Sequence, residues 1–227
     1  MPRIDFDRDL RQLQDDLLFL GSMVEKAIAK ALDAFKRRDL VVSEQVLNED
    51  TLIDRKRFQI EEKVIDLIAT QQPLARDLRI LITVLHVAVE LERMGDYAEG
   101  IAKISLRMGD EAPLKPLIDI PRMGELAAVM LRRSLDAFVN RDIVGAEGVS
   151  RADDEVDALY EQVYRELLTF MIEDPKKVQR ATFLLWVAHD LERIADRATN
   201  IAERVVFLVT GKLVDMNTSN TDPTPRR

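Results

Sequence analysis

Cysteine is absent from the 227 residues of this chain. Its absence excludes disulfide bonds, thiolate metal sites and cysteine nucleophiles, and it fits a protein that works in a reducing compartment. Glycine and proline are scarce, with eight residues of each. That number is small for an all-β fold of this length, because the turns between strands use both residues heavily. The composition therefore favours a helical protein without a disulfide framework.

Long hydrophobic runs and a secretion signal are missing too. The longest nearly apolar stretch, residues 80–89, is interrupted by Thr83 and His86, and it is too short to cross a bilayer. The first nine residues carry acidic side chains where a signal peptide needs a basic segment followed by an apolar one. We therefore expect a soluble cytoplasmic protein with no transmembrane segment.

An excess of positive charge is missing as well, since the formal net charge is -8 at pH 7. General nucleic-acid binders draw their affinity from Lys and Arg side chains that neutralise phosphates, so this class is disfavoured. The chain contains no glycine-rich phosphate loop, no Gly-x-Ser-x-Gly segment and no paired His-Glu-x-x-His, the motifs of three large enzyme classes. A ferritin-like di-iron site uses Glu-x-x-His on two helices. In this chain the order is reversed, with His189 before Glu192, and this pair occurs once.

Apolar residues recur at steps of three and four along most of the chain, the spacing that places them on one stripe of an α-helix. Asp39 and Asp142 stand where an aspartate can cap a helix start. Pro175 fits the first turn of a helix, and Gly211 fits a helix end. The periodicity predicts six long helices, over residues 6–37, 39–69, 75–107, 122–140, 142–172 and 175–210.

The second half of the chain repeats the first. Residues 90–102 read ELERMGDYAEGIA and residues 190–202 read DLERIADRATNIA, so that matching residues lie 100 positions apart. Further upstream, residues 32–35 and 135–138 both read LDAF, at an offset of 103. A fixed internal period is the signature of a duplicated structural unit. We therefore predict an all-α protein made of two tandem, pseudo-symmetric three-helix bundles.

The boundaries of the two halves follow from the helices and from proline. We place the first bundle in residues 1–110 and the second in residues 122–212. Residues 111–121 include the prolines that separate the halves and are expected to form a linker. Residues 213–227 lack apolar periodicity, which predicts a disordered tail.

Acidic pairs one helical turn apart recur in register with the repeat. Two like charges at this spacing share a helix face and repel each other by roughly 0.2–0.5 kcal/mol. Repeated repulsion of this kind suggests a positive partner, and helical bundles commonly bind metal ions through carboxylates on facing helices. Oxygen ligands favour Mg, Ca, Mn or iron, with zinc also possible. The pairs are Asp50 with Asp54, Glu92 with Asp96, Asp153 with Asp157, and Glu192 with Asp196.

Two further side chains could complete these sites. Asn200 follows Asp196 by one turn and could offer a carbonyl oxygen, whereas Gly100 takes this position in the first half. The two sites should therefore differ. His189 shares the helix face of Asp196, so its imidazole could reach the same metal. His86 has no matching histidine in the second half, which makes it a weaker candidate.

Solvated salt bridges are the alternative interpretation of these acids. Arg93 and Arg193 directly follow the two glutamates, and Arg55 follows Asp54. An exposed ion pair contributes only about 0–1 kcal/mol and needs no metal. The recurrence of the acids in register with the repeat is the observation that favours metal binding.

Residues 91–96, LERMGD, and residues 191–203, LERIADRATNIAE, resemble the two signature segments of the PhoU family of phosphate-transport regulatory proteins. The resemblance covers the chain to about Lys212, and it includes the length, the duplication, the linker and the Asp-x-x-x-Asp segments of the second and fifth helices. Such segments are specific because they occur twice, about 100 residues apart. The resemblance implies two three-helix bundles related by a pseudo-twofold axis.

The resemblance also implies a function. It implies a cytoplasmic adaptor without catalytic activity, commonly a homodimer, that represses the phosphate-starvation response when phosphate is plentiful. Its implied partners are the ATPase of the phosphate ABC transporter and a two-component sensor histidine kinase. It implies divalent or ferric ions, iron or zinc above all, held by acidic motifs. On this sequence the metal candidates are Asp50, Asp54, Glu92, Asp96, Asp153, Asp157, Glu192, Asp196 and Asn200.

Two other functions stay open at this point. The same carboxylates would suit a metal store or a metal-dependent enzyme, which should take up many ions per chain or show turnover. A helical dimerisation module with acidic faces would use them only for solubility, and replacing them would then change neither metal content nor signalling. Cation binding to the folded protein should raise its melting temperature by linkage.

Overall fold

Six α-helices account for most of the computed structural model, which describes residues 3–216. They are α1 (Arg3–Arg37), α2 (Leu40–Gln71), α3 (Arg76–Met108), α4 (Asp119–Asn140), α5 (Ile143–Glu173) and α6 (Val178–Thr210), with a short 3₁₀ helix (Pro175–Lys177) before α6. The described range contains no strand. The all-α prediction is confirmed.

The third helix of each half lies at the centre of the molecule. In the first half α1, α2 and α3 pack against one another, as α4, α5 and α6 do in the second. The halves meet where α3 packs on α6 and where α1 packs on α4. Leu91 and Met94 of α3, and Leu191 and Ile194 of α6, are fully buried in one continuous core. The repeated Leu-Glu-Arg segments therefore place their apolar residues in the core beside the pseudo-symmetry axis.

A reciprocal pair of glycines sets the spacing between α1 and α4. A Cβ atom on Gly21 would lie 2.4 Å from Leu135 Cδ1, and one on Gly124 would lie 2.3 Å from Leu32 Cδ2. The two glycines are equivalent positions at the offset of 103, and so are the two leucines. Each leucine therefore fills the space beside the glycine of the other half, and this close packing leaves no room for a side chain.

The helix ends agree with the sequence at two places and differ at three others. One difference is that α4 begins at Asp119 and not at residue 122, so that residues 119–121 belong to the helix. The carboxylate of Asp39 accepts a hydrogen bond from the Val42 amide at 3.0 Å, and Gly211 ends α6 with φ of 76°. Asp142 occupies the corresponding capping position of α5 but its side chain accepts no such bond. The start of α6 at residue 175 was wrong, because Asp174 caps the 3₁₀ turn instead and the α-helix begins at Val178.

The connection between the halves is held at several points. Arg38 of α1 donates to the carbonyl oxygen of Asp110 at 3.0 Å, and Arg180 of α6 donates to that of Ala112. Lys115, whose side chain is 7% exposed, pairs with Asp119 at 3.3 Å and with Glu166 of α5. These contacts hold the connection against α1, α4, α5 and α6.

The chain turns back after α6. The amide of Met216 donates to Glu203 at 2.8 Å, and its carbonyl oxygen accepts from Ser150 of α5 at 3.2 Å. The rest of the expected disordered tail, residues 217–227, lies outside the described residues. None of the helices in the described range contains a segment long and apolar enough to cross a bilayer.

Candidate metal centre

Close approach of α2 to α3 brings the first set of acids together. A Cβ atom on Gly95 would lie 3.1 Å from Ile53 Cδ1 and 3.4 Å from an oxygen of Asp50. Because Gly95 has no side chain, the buried Ile53 can pack against the α3 backbone. The carboxylate of Asp50, one turn before Ile53, then meets that of Asp96, which follows Gly95.

The first acidic cluster consists of Asp50, Asp54 and Asp96. Each offers a carboxylate oxygen, and these oxygens lie within 4.8 Å of one another. Burial raises the pKa of Asp50 to about 6, and the negative charges of Glu99, Asp54 and Asp96 add to the rise. Burial and the neighbouring carboxylates raise the pKa of Asp96 as well. A cation placed between them would remove this repulsion.

Glu92 lies outside this group of three. Its carboxylate is 3.4 Å from a guanidinium nitrogen of Arg57, and Arg57 also binds Glu61 at 2.5 Å.

Glu99 and Lys103, which were not among the predicted site residues, lie beside the first acidic cluster. Their side chains pair at 2.5 Å, and the charge of Lys103 lowers the pKa of Asp50 and of Asp96. Their spacing of three and seven residues from Asp96 could have revealed them.

The second acidic cluster, Asp153, Asp157, Glu192 and Asp196, is more deeply placed. Asp153 is 8% exposed. Burial raises its pKa to about 7, the charges of Asp157 and Asp196 raise it further, and the Thr199 hydroxyl offsets part of the rise. Burial and Asp196 likewise raise the pKa of Glu192 to about 7. A metal ion that binds Asp153 and Glu192 would therefore compete with protons.

Two buried oxygens of the second cluster accept no hydrogen bond. Asp153 Oδ1 and Glu192 Oε2 are buried and make no hydrogen bond within the described range. A buried acceptor without a donor is costly, and in native proteins such an atom calls for an explanation. A bound cation would supply it, so the donor set of the second cluster fits a metal ion.

The second cluster is nevertheless less converged than the first. Among the described residues, only the first cluster contains three carboxylates whose oxygens all lie within 4.8 Å of one another. In the second half, Asp196 accepts a hydrogen bond from Arg193 at 2.6 Å. This ion pair orients Asp196 towards a guanidinium on its own helix.

Asn200 and the two histidines occupy three different environments. The amide nitrogen of Asn200 donates to Glu90 of α3 at 3.1 Å, in the contact between the halves. His189 Nδ1 lies 3.6 Å from Glu192 Oε2, and burial together with Arg193 lowers the pKa of His189, which favours the neutral form that binds metals. His86 lines a groove between α2 and α3 with Arg57, away from Asp96 and its partners.

Both halves of the chain are similar to known proteins. The family described as the PhoU domain matches the chain twice, over residues 17–105 and 120–205. The two matches cover one repeat each and together most of the chain. The chain belongs to the PhoU family. This finding confirms the resemblance drawn from the Leu-Glu-Arg segments.

Relatives from several bacteria share the PhoU sequence over nearly their whole length. A protein of Clostridium acetobutylicum named phosphate-specific transport system accessory protein PhoU homolog is 42% identical over 96% of this chain and 100% of its own. A Rhizobium meliloti protein of the same name is 37% identical, over 91% of this chain and 87% of its own. The family assignment therefore applies to both halves and to the connection between them.

Solved PhoU structures have the same fold. The crystal structure of PhoU from Pseudomonas aeruginosa superposes with a TM-score of 0.87 at 34% identity, over 91% of this chain and 100% of that one. The phosphate transport system regulatory protein PhoU from Streptococcus pneumoniae gives a TM-score of 0.86 at 33% identity, over 92% and 99%. The six-helix architecture is thus that of the PhoU family.

Proposed function

We propose that this PhoU family member is a cytoplasmic, non-catalytic regulator of phosphate uptake that represses the phosphate-starvation response when phosphate is plentiful. It acts between the ATPase of a phosphate ABC transporter and a two-component sensor histidine kinase. The observation that carries the proposal is the full-length similarity to proteins named as accessory to phosphate-specific transport. Family membership supports the link to the transporter, and the link to the kinase rests on the resemblance.

The surface supports a role in protein contacts. Several large apolar side chains are substantially exposed, and they are distributed over both halves: Phe19, Phe58, Ile65, Ile172 and Trp186. Some are covered by cations, since Lys56 lies 5.4 Å from the Phe19 ring centroid and Arg57 lies 4.2 Å from that of Phe58. Aromatic and arginine side chains of this kind are enriched in protein interfaces. We propose that such faces dock the transporter, the kinase and a second copy of the chain in a homodimer.

The acidic clusters bind metal ions in this proposal. Asp50, Asp54 and Asp96 hold one site, with Glu92 at its margin. Asp153, Asp157, Glu192 and Asp196 hold the other, with His189 in reach of Glu192. Carboxylate oxygens with one imidazole suit iron or zinc, in the divalent or ferric state. The ion would cross-link α2 to α3 and α5 to α6 and neutralise their repelling charges, which gives it a structural and regulatory effect.

A reporter of the phosphate-starvation response tests the regulatory role. In a host that lacks this gene and grows in excess phosphate, the reporter should be active, and restoring the gene should silence it. A reporter that stays silent without the gene would contradict the repressor role. Purified protein should also bind the transporter ATPase or the kinase domain, and finding neither interaction would contradict the adaptor mechanism.

The metal sites are tested in the same strain. Asp54→Asn with Asp96→Asn removes two ligands of the first cluster, and Asp153→Asn with Asp157→Asn removes two of the second. Metal content of the purified proteins should fall in both double variants, and repression should weaken if the ions contribute to signalling. Unchanged metal content in both variants would contradict metal binding at these clusters.

A further inference from the structure

Equivalent arginines have different partners in the two halves. Arg93 and Arg193 each follow the glutamate of the repeated Leu-Glu-Arg segment. Arg93 lies 3.5 Å from Glu90, one turn earlier on α3, and its side chain is 51% exposed. Arg193 instead binds Asp196, one turn later on α6, at 2.6 Å. The same sequence position therefore turns away from the acidic cluster in the first half and towards it in the second.

Exposure of the two pairs shows why they are unequal. The side chains of Arg193 and Asp196 are 37% and 18% exposed, so this ion pair is partly withdrawn from water. Charge-assisted hydrogen bonds of this length are stronger than neutral ones, and partial burial strengthens them further. The contact between Arg93 and Glu90 is longer, and its arginine is more exposed although Glu90 is 14% exposed, so it restrains its arginine less.

A second contact holds Arg193 in place from the other half of the molecule. Burial lowers the pKa of the Arg193 guanidinium, whereas Asp196 and the nearby Tyr97 side chain of α3 raise it. Arg197 takes the position of Tyr97 in the second half, and its guanidinium binds Glu90 at 3.2 Å rather than an acid of the first cluster. Arg193 is thus braced across the contact between α3 and α6, and Arg93 is not braced in this way.

We propose that Arg193 is a tethered counter-cation of the second acidic cluster, which a metal ion must displace from Asp196, so that the first cluster loads before the second. The inference rests on the metal binding proposed above. In the first cluster Asp96 converges with Asp50 and Asp54. In the second, Asp153 and Glu192 each present a buried oxygen that accepts no hydrogen bond, while the carboxylate of Asp196 is bound to the arginine. Arg193 is therefore a positioning residue that lowers the affinity of the second cluster.

Displacement of Arg193 also connects the two halves. When the guanidinium leaves Asp196, its contact with Tyr97 of α3 changes as well. Metal binding at the second cluster would then alter the contact between α3 and α6. The first cluster would be affected as well, because its Asp96 lies on α3. A metal ion in one half would thereby be sensed by the other half.

Calorimetric titration with Zn²⁺ in phosphate-free buffer tests the proposal in the full-length protein. In an Asp54→Asn/Asp96→Asn background the titration reports on the second cluster, and Arg193→Met should tighten Zn²⁺ binding there by about tenfold, because one competing cation is gone. Arg193→Lys keeps the charge and should stay near the parent affinity. The matched control is Arg93→Met in an Asp153→Asn/Asp157→Asn background, where the affinity of the first cluster should change by less than about twofold.

The outcomes separate the inference from the metal proposal. Tightening in Arg193→Met together with an unaffected Arg93→Met supports the counter-cation. An unchanged affinity in Arg193→Met, in a protein whose clusters do bind Zn²⁺, overturns the role of Arg193 and leaves metal binding standing. Absence of Zn²⁺ binding by both clusters of the unmodified protein overturns both. If Arg193→Met does not fold, Arg193→Gln serves with the same expected shift.

Discussion

The two halves of this PhoU family member carry matching acids at four pairs of positions, but they arrange them differently. The first cluster is converged and partly open to solvent, with Lys103 held nearby by Glu99. The second is deeper, its Asp153 is 8% exposed, and one of its carboxylates is bound to Arg193. The comparison teaches that a duplicated sequence motif fixes which residue types are present, while the neighbours of each copy decide their protonation and their partners.

The largest difference between the clusters should appear in the pH dependence of the metal-free protein. An unfolded aspartate titrates near 3.8, whereas burial and repulsion raise the pKa of Asp153 to about 7. Between these values the unfolded chain loses its proton first, so the free energy of unfolding falls as pH rises from about 4 to 7. Asp153→Asn should therefore stabilise the metal-free protein at pH 8 by about 3 kcal/mol.

The comparison with the first cluster gives the control for this prediction. The pKa of Asp50 is raised to about 6, so Asp50→Asn should stabilise by roughly two thirds as much, and neither variant should differ much from the parent at pH 4. Denaturant unfolding at pH 4, 6 and 8 measures all three proteins. A larger effect at Asp50 than at Asp153 would contradict the assignment of the deeper site to the second half.

Added zinc should offset the repulsion among the carboxylates, and the two clusters should bind it at different zinc concentrations. A saturating ion at about a hundred times its dissociation constant stabilises a protein by about 2.7 kcal/mol. Thermal unfolding over a series of zinc concentrations should show a first rise of the melting temperature that disappears in Asp54→Asn/Asp96→Asn. A second rise at higher zinc should persist in that variant. The reverse order would show that the second cluster is the tighter site.

A third effect concerns the reciprocal glycines between α1 and α4. Gly124→Val and Gly21→Val should each destabilise the protein by about 2 kcal/mol, because the new side chain would collide with Leu32 or Leu135 in a close-packed contact. The second substitution Leu32→Ala should recover part of the loss in Gly124→Val, while Leu135→Ala should not. Denaturant unfolding provides the measurement, and equal recovery by both alanines would contradict the reciprocal pairing.

The smallest effect compares the two capping aspartates. Asp39→Ala removes the hydrogen bond to the Val42 amide and should cost about 1 kcal/mol of stability. Asp142→Ala removes a side chain that accepts no capping bond, so its cost should stay below about 0.5 kcal/mol. Asp39→Ser, which can still cap, is the control. Equal losses at positions 39 and 142 would show that the two helix starts behave alike in solution.

Much of the fold could be predicted because helices are encoded locally. The steps of three and four between apolar residues predicted six helices, and the capping by Asp39 and the end at Gly211 were confirmed. The start of α6 differs from the prediction because two local signals compete there. Pro175 predicts the first turn of α6, but Asp174 caps a separate 3₁₀ turn there, which moves the start of the α-helix by three residues.

The partners of the acids could not be predicted in the same way. Glu92 was grouped with Asp96 because they share a helix face, yet Arg57 of another helix lies beside Glu92. Asn200 was placed beside Asp196 by the same reasoning, yet its amide nitrogen donates to Glu90 across the molecule. In both cases a residue on another helix, distant in sequence, provides the contact, and helical spacing carries no information about it.

The sequence by itself determined the helices, the duplication, the family and the acidic positions, because each depends on residue types at short or fixed spacings. Only the tertiary structure decided that Asp50, Asp54 and Asp96 converge, that Gly21 and Gly124 receive leucines of the opposite half, and that Arg193 binds Asp196 while Arg93 does not. These outcomes depend on how closely two helices approach and on which charges they bring together. Such distances are set by packing between segments far apart in the chain.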